Sequence, residues 1–424
     1  MRHTGQHELT LGARAGFRVP PLGGLPLETR VFTSVYYDVP GGSLATAGIM
    51  LLRRTEGSRS VWQLRLPAEQ PLLELEEDGD QGQPPSAALK LLQTHLRHGP
   101  LERIAELRTR RSGELEVELG LRSASPAHLD LLARELAAVG AEPHDELPEQ
   151  RTSDISGSPM EALRNLLRAQ LREIERHDPG TRLGRDPESL HDMRVAVRRT
   201  RALLRAGKKL IAADMSGLDA RLKELGAVLG EVRDLDVLLA RLEDEAGELG
   251  GEDARQVRAL LAALRTERSC SRARLLAALS SQQYLRLLDD TAQAIEDLEP
   301  SGAAVTLDDV ADRAFAKARK AVHRLPDEPA DWELHRVRKL GKRARYAAEL
   351  VGRKEFARQA KALQDVLGEH QDAVVAAERL RELAVGATPG QSIAAGRLVE
   401  REVERRATAR ATWREAWHRL RKTI

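Results

Sequence analysis

The chain is poor in cysteine and in aromatic residues. Among 424 residues, Cys270 is the single cysteine, which excludes an intramolecular disulfide and argues against a zinc site built from cysteines. Aromatic side chains make up 3% of the chain, whereas proteins that bind single-stranded nucleic acid typically present several rings on which bases stack. These two shortages disfavour a disulfide scaffold, a cysteine-based zinc module and a single-strand binder.

Long apolar runs and an excess of one charge sign are also missing. No stretch approaches the length of a membrane span, and the N-terminal segment MRHTGQHELTLGARAG lacks the apolar centre of a signal peptide. The formal net charge is +2, from 67 basic and 65 acidic residues. We therefore expect a cytoplasmic protein with no membrane partner, in which a local basic patch must meet any anionic ligand.

The chain changes character near residue 150. Residues 1–150 combine short segments rich in β-formers with two helical patterns, which predicts an α+β domain. Residues 151–157 have the composition of a linker, and residues 158–424 show long helical patterns without strand signals, which predicts an all-α domain. The predicted strands of the first domain are 31–39, 48–55, 60–67 and 114–121, and its predicted helices are 85–99 and 125–141.

Basic residues recur at helical spacing in the segment LHDMRVAVRRTRALLR, residues 190–205. A helix stacks His191, Arg194, Arg198 and Arg201 on one face, where like charges repel unless an anion lies against them. The pattern returns 144 residues later as LHRVRKLGKRARYAA, residues 334–348. A segment between helices is predicted just before it, over 325–332. The repeat favours a binding surface over a merely solvated helix face.

A second motif, Leu-Gly-Glu-x-x-Asp, follows each basic helix and ends at Asp234 and at Asp372. Two copies of this pair of blocks predict two pseudo-symmetric four-helix bundles, over about residues 158–300 and 301–424. The two basic helices would then face each other or share one groove. We expect the two aspartates to buttress the basic side chains as ion pairs rather than to take part in catalysis.

His-x-x-Arg followed by Arg/Lys-Arg-x-Arg, present twice with Leu-Gly-Glu-x-x-Asp downstream, resembles the CHAD family of histidine-containing α-helical domains. The resemblance covers about residues 158–424. It implies an all-helical fold with a basic central channel that binds inorganic polyphosphate without a cofactor, and association with polyphosphate granules. Carried over by position, the implied binding residues are His191, Arg194, Arg198, Arg199, Arg201, His335, Arg338, Lys342, Arg343 and Arg345, with Lys208 and Lys339 as additional contacts.

The N-terminal domain is similar to CYTH domains, the triphosphate tunnel enzymes, in the segments VYYDVPGGSLATAGIMLLRRT, WQLRLP, LRTRR and ELEVELG. The resemblance implies a reduced antiparallel β tunnel, or half-barrel, with helices. The family's first strand carries Glu-x-Glu-x-Lys, and the best match here is Gln6, Glu8 and Thr10. Too few residues separate Arg111 from Glu114 for the two strands expected there. We therefore expect a degenerate domain.

Two alternatives to polyphosphate binding stay open. In the first, the N-terminal domain hydrolyses triphosphate or polyphosphate with Mg²⁺ or Mn²⁺, because hydrolysis in the CYTH family needs a divalent metal held by glutamates. The incomplete motif makes us favour a protein without this activity. The remnant phosphate-binding candidates are Arg54, Arg65, Arg108 and Arg110, and the metal candidates are Glu8, Glu116 and Glu118.

The second alternative is nucleic-acid binding. It is disfavoured because the basic stripes carry neither Asn nor Gln for reading base edges and contain Tyr346 as their single aromatic residue. Nothing near His191 or His335 supplies a metal-ligand set. We expect each histidine to add a hydrogen bond and, below about pH 6.5, a charge at the end of its stripe.

Overall fold

The structure, a computed structural model, describes residues 30–67, 73–78, 82–111, 115–121, 158–302 and 306–423. It comprises two compact units. The first unit contains residues 1–154 and 172–193, and the second contains residues 155–171 and 194–424. Within the described ranges, no helix combines the length and the apolar character needed to cross a membrane.

The first unit contains one antiparallel sheet of six strands. Every pair of neighbouring strands is antiparallel, and the strands that come fourth and sixth in the sequence form the two edges of the sheet. The strands are β1 (Arg30–Asp38), β2 (Met50–Glu56), β3 (Arg59–Leu66), β4 (Leu73–Asp78), β5 (Glu102–Arg111) and β6 (Leu115–Leu121), in the order β4-β3-β2-β1-β5-β6. The sequence predicted four of them. It missed β4 and β5, in which charged residues outnumber β-formers.

The helices of the first unit are short. They are α1 (Ser43–Thr46), α2 (Ser86–Leu91) and α3 (Gln93–Leu96). The single helix predicted over 85–99 is therefore divided at Leu92, which is fully buried in the apolar cluster that also contains Trp62 and Leu64. The predicted helix 125–141 and linker 151–157 lie outside the described residues.

The buried carboxylate of Asp38 organises the turn between β1 and α1. It accepts hydrogen bonds from the backbone N–H groups of Val39 at 2.7 Å and of Leu44 and Ala45 at 2.9 Å. The N–H groups of Leu44 and Ala45 would otherwise be unpaired at the start of a short helix. The aspartate of the segment YYDVPGGSLAT is thus a structural residue of the turn.

Ten long helices follow. They are α4 (Pro159–Leu183), α5 (Pro187–Ala206), α6 (Ser216–Leu249), α7 (Gly251–Leu260), α8 (Ala262–Leu279), α9 (Gln282–Glu296), α10 (Leu307–His323), α11 (Asp331–Leu350), α12 (Lys354–Ala384) and α13 (Pro389–Arg421). Residues 158–300 therefore hold six helices, where the repeat predicted about four. The segment between helices that the sequence predicts over 325–332 is two residues shorter in the structure, because α11 begins at Asp331 and includes Trp332.

Helices α10 to α13 share one apolar core in the second unit. Its centre is aromatic, since Phe315 stacks on Trp417 with ring centroids 5.8 Å apart and meets Phe356 edge-on at 5.4 Å. A second core joins α6, α7 and α8 to α12 and α13. Because α12 and α13 contribute to both cores, they hold the two halves of the second unit together.

Candidate anion-binding site

Helices α5 and α11 each carry a row of half-buried cationic side chains. The spacing of these residues is i, i+3, i+7 and i+10, so each row follows one face. On α5 the row is His191, Arg194, Arg198 and Arg201, and on α11 it is His335, Arg338, Lys342 and Arg345. The opposite faces are apolar and buried, which fixes how far each row can turn toward solvent.

The two basic helices are in contact, although the repeat places them far apart in sequence. The guanidinium Nε of Arg198 on α5 donates a hydrogen bond of 2.7 Å to the hydroxyl of Tyr346 on α11. Arg345 covers the ring of Tyr346, with its guanidinium carbon 4.9 Å from the ring centroid. The guanidinium of Arg199 lies 3.7 Å from the carboxylate of Glu349. The tertiary structure thus joins both copies of the motif at one place.

Lys342 lies where the two rows converge. Burial, together with the neighbouring guanidinium groups of Arg338, Arg198 and Arg194, lowers the pKa of its ammonium group to about 7, and the charge of Asp372 opposes this shift. Burial also lowers the pKa of Arg338, with Asp372 opposing the shift. We call these four residues, Arg194, Arg198, Arg338 and Lys342, the basic cluster.

The Leu-Gly-Glu-x-x-Asp motif supports an arginine of the basic cluster in each copy. A Cβ added to Gly230 would lie 3.5 Å from a terminal guanidinium nitrogen of Arg194, and one added to Gly368 would lie 3.5 Å from that of Arg338. Each glycine therefore lets an arginine lie flat against the helix backbone. Any side chain longer than a methyl group would occupy the space that the guanidinium now fills.

The aspartate of each motif is the electrostatic partner of the same arginine. Asp234 accepts a hydrogen bond of 2.8 Å from Arg194. Asp372 interacts electrostatically with Arg338, and burial raises the pKa of its carboxyl group. The contact of Asp234 agrees with the buttressing role expected for the two aspartates.

A buried ion network that the sequence did not reveal lies behind Asp372. Arg241 on α6 acts electrostatically on Asp372 and donates hydrogen bonds to Glu402 at 2.9 Å and to Glu369 at 3.0 Å. Glu402 is completely buried on α13. Its only signal in the sequence is a charged residue on the apolar face that contains Leu398, a pattern too common to identify it.

Some predicted binding residues are engaged elsewhere. Arg201 donates a hydrogen bond of 3.0 Å to Asp219, which also binds Arg205. Arg345 lies 3.2 Å from Glu349. Lys208 lies in the 3-10 turn Gly207–Lys209 after α5, where its charge acts on Asp214. These side chains are at the margin of the basic cluster.

The remaining predicted residues surround the basic cluster. Lys339 and Arg343 are exposed on α11. Burial lowers the pKa of His335, and the charges of Lys339 and Arg338 add to this effect, while a hydrogen bond with Gln371 opposes it. His335 therefore gains its charge at a lower pH than the value of about 6.5 expected for a histidine in this position. His191 is half-buried on α5, one turn before Arg194.

The sheet register separates the arginines proposed as remnants of a phosphate tunnel. Arg54 pairs with Val61 of β3 and Ser34 of β1, and alternation places Arg65 on the same face. Positions 108 and 110 of β5 belong to the other face of the sheet, where they pair with positions 118 and 116 of the neighbouring strand β6. The structure thus brings Arg54 and Arg65 to one face but not all four arginines.

Several candidates of the first unit have side chains outside the described part of the chain. They are Glu8, Arg110, Glu116 and Glu118. Arg54 is described, and its guanidinium carbon lies 4.2 Å from the ring centroid of Phe32. In the described part of the chain, no group of three or more His, Cys, Asp or Glu side chains is arranged to hold a metal ion.

Comparison with known proteins agrees with this architecture. Two uncharacterized proteins of Mycobacterium tuberculosis, from strains CDC 1551 and H37Rv, are each 29% identical over 449 aligned residues, covering 88% of this chain and 86% of each relative. PptA from Streptomyces chartreusis superimposes with a TM-score of 0.53 at 25% identity, covering 61% of this chain and 99% of PptA. The CHAD domain of the plant Ricinus communis gives a TM-score of 0.51 at 29% identity, covering 62% of this chain and 92% of that domain. The CHAD domain family matches residues 165–381, and the chain belongs to this family.

Proposed function

We propose that this protein binds inorganic polyphosphate through the basic cluster. The observation that carries the proposal is the convergence of four half-buried cations from two helices, with Asp234 and Asp372 as the carboxylates that act on Arg338. Like charges in a partly desolvated site raise the free energy of the ligand-free protein. A phosphate chain laid against both helices would relieve this repulsion.

Guanidinium groups suit the proposed ligand. Arginine donates bidentate hydrogen bonds to phosphate oxygens and stays charged at any cellular pH. In the described structure, the buried Nε donor of Arg338 and the Nδ1 atom of His335 have no hydrogen-bond partner. Phosphate oxygens would supply an acceptor for the Arg338 donor, and one for Nδ1 of His335 when that ring is protonated, since a buried donor without a partner costs free energy.

A phosphate chain fits the basic cluster better than a nucleic acid does. Tyr346, the aromatic residue between the two rows, is 7% exposed and is covered by Arg198 and Arg345. Its ring is therefore not accessible to a base, while stacking is the main way in which proteins hold single strands.

The proposal extends to the symmetry of the site and to its place in the cell. We infer that two copies of one helical unit share the ligand in a basic channel, and support comes from the matched contacts of Gly230 with Arg194 and Gly368 with Arg338. A polymer with many phosphates binds many copies of such a protein at once. We therefore expect the protein to associate with polyphosphate granules.

For the first unit, we propose a reduced triphosphate tunnel. Support comes from the six-stranded antiparallel sheet and from the turn built around Asp38, which uses the segment that resembles the CYTH family. Arg54 and Arg65 lie on one face of the sheet, and positions 108 and 110 lie on the other. This separation favours a unit without hydrolytic activity. Mg²⁺ or Mn²⁺ would be needed only for the hydrolytic alternative.

The experiment that tests the proposed function is charge reversal in both helices. In the double variant Arg198→Glu/Lys342→Glu, we expect the affinity of the full chain for long-chain polyphosphate to fall at least about 100-fold, because two attractions become two repulsions inside a half-buried site. Titration calorimetry measures the affinity, and circular dichroism checks that the helices persist.

The matched control is Lys317→Glu/Lys320→Glu. Both lysines are exposed on α10, and the change in net charge is the same. We expect the control to bind within a few-fold of the natural chain. Equal affinities of the two double variants would contradict the proposed site.

A further inference from the structure

One tryptophan of this chain is exposed. Trp62, Trp413 and Trp417 are 2%, 2% and 5% exposed and belong to apolar cores, whereas Trp332 is 65% exposed. It lies in the first turn of α11, one turn before His335. A large aromatic side chain gains free energy by leaving water, so an exposed one beside a basic row needs an explanation.

The backbone around Trp332 is held rigidly. The carboxylate of the preceding Asp331 accepts hydrogen bonds from Arg406 at 3.1 Å and from Arg410 at 2.8 Å. Glu333 accepts a hydrogen bond of 2.8 Å from the backbone N–H of Ala330, which caps the helix. The indole is therefore presented by a fixed helix start and not by a loop, so little conformational entropy would be lost when a ligand packs on it.

Three exposed cations continue from Trp332 along the same side of α11. Arg336, Lys339 and Arg343 follow at i+4, i+7 and i+11, and all three are exposed. Among the described residues, none of the three forms an ion pair with a carboxylate, whereas other exposed arginines such as Arg255 and Arg358 do. We call Trp332, Arg336, Lys339 and Arg343 the outer row. At 1.5 Å per residue, Trp332 and Lys339 are about 10 Å apart along the helix axis.

We propose that the outer row binds a nucleoside oligophosphate, with the base stacked on Trp332 and the phosphates held by the cations that follow. Aromatic rings stack on any nucleobase, and lysine and arginine bind phosphate oxygens. The inference rests on the proposed function for its phosphate end and adds a ligand class with one aromatic end. At the matching position of the first repeat stands Glu188, so the two basic helices differ in this feature.

A mononucleotide is favoured over a nucleic acid because the outer row offers one ring. Proteins that bind single strands place several aromatic side chains along the backbone path, and no second exposed Trp, Tyr or Phe is found in the described part of the chain. One ring followed by unpaired cations suits one base followed by a short phosphate chain.

The test compares ATP with inorganic tripolyphosphate, which share the triphosphate and differ in the nucleoside. For the full chain, we expect titration calorimetry to give an affinity for ATP about fivefold or more above that for tripolyphosphate, the lower end of measured stacking contributions. In Trp332→Ala the ratio should fall to about one, with the tripolyphosphate affinity unchanged, and Trp332→Phe should keep most of the preference. Ile393→Ala, which removes another exposed apolar side chain, is the matched control and should keep the preference.

The outcomes separate this inference from the proposed function. If long-chain polyphosphate binds but ATP and tripolyphosphate bind equally well, or Trp332→Ala keeps the preference for ATP, the inference is wrong and the proposed function stands. An oligonucleotide without terminal phosphates that displaces ATP would also overturn it, in favour of nucleic acid. If long-chain polyphosphate does not bind, the proposed function is wrong, and so is the inference that rests on it.

Discussion

At the scale of single residues, Lys342 is the titratable group of the basic cluster. Its pKa of about 7 leaves the side chain about half charged at neutral pH, whereas an ordinary lysine is fully charged there. In the ligand-free protein the charged form is the unfavourable one. The contribution of Lys342 to folding stability therefore rises with pH from about 7 toward the ordinary lysine value, because the unfolded chain binds the proton more tightly in that range.

Ligand binding reverses this preference, which predicts a pH dependence of affinity. A polyanion favours the charged form, so below pH 7 the ligand meets a lysine that is already protonated, and above pH 7 binding requires uptake of a proton. We expect the affinity for long-chain polyphosphate to decrease between pH 6 and pH 9, measured by titration calorimetry in buffers of different ionisation enthalpy. A long polymer keeps the titration of terminal phosphates small.

Two variants assign this dependence to one residue. Lys342→Arg keeps the charge at all these pH values, so its affinity should change little with pH. His335→Gln removes the neighbouring histidine, whose pKa is lowered by burial, and should leave the pH dependence intact. The charged groups that act on Lys342 are Arg338, Arg198, Arg194 and Asp372. A pH profile unchanged in Lys342→Arg would assign the titration to another group.

At the scale of elements, helices α6 and α12 each bring a glycine against an arginine of the basic cluster. The sequence contains the Leu-Gly-Glu-x-x-Asp motif twice, and the motif predicts the role of its aspartates. It offered no reason for the glycine. The distance from Gly230 to Arg194 and from Gly368 to Arg338 favours a small residue at each position, and this distance exists only after α5 packs on α6 and α11 on α12.

This contact predicts the effect of enlarging Gly368. Gly368→Leu should displace the guanidinium of Arg338 and lower the affinity for polyphosphate by about 10- to 100-fold, because one charge-assisted contact is worth about 1.5–3 kcal/mol. Gly368→Ala should bind normally, since its methyl group would lie at an ordinary contact distance. Gly396→Leu on α13, where nothing lies within 4 Å, is the control and should bind normally. A Gly368→Leu chain with unchanged affinity and helicity would contradict the role of the glycine.

The elements themselves were predicted unevenly, for physical reasons. Strands β3 and β6 carry the alternation of apolar and polar residues that half-buried strands require, and β1 and β2 are short segments rich in β-formers and bounded by Gly or Pro. Strand β5, with sequence ERIAELRTRR, is mostly charged, and its place between β1 and β6 comes from hydrogen bonding to neighbours. Helix α11 begins at Asp331, where Glu333 caps the helix and Arg406 and Arg410 of α13 bind Asp331. No local signal reports the contact with α13.

At the scale of the whole molecule, basic and acidic residues nearly balance in number, but positive charge is in excess at the basic cluster and the outer row. The 65 acidic residues nearly match the 67 basic ones, and ion pairs such as Arg168 with Glu296 and Arg221 with Asp290 place opposite charges together over much of the surface. In the basic cluster four cations lie beside Asp234 and Asp372, and among the described residues the outer row forms no ion pair, so both surfaces carry an excess of positive charge. A protein with a net charge of +2 can therefore still bind a polyanion.

This local excess predicts a steep dependence of binding on salt. Each cation that contacts a phosphate releases counterions, so four contacts give a slope of log K against log[salt] of about −3, if a phosphate chain behaves like single-stranded nucleic acid. Titration of the full chain with long-chain polyphosphate at several salt concentrations measures the slope. Arg198→Glu/Lys342→Glu should flatten it, and Lys317→Glu/Lys320→Glu should not. A slope near zero for the natural chain would exclude binding through the basic cluster.

The sequence by itself determined the class of this protein and the chemistry of its site. Helical spacing of the basic residues, their repetition after 144 residues and the following Gly and Asp are local patterns, and a helix converts such spacing directly into a face. The tertiary structure alone decided which of those cations converge. Arg201 and Arg205 bind Asp219, while Arg198 and Lys342 meet beside Tyr346. Packing between helices distant in sequence sets these distances and the burial that makes Lys342 titrate near neutrality, and no local pattern encodes either.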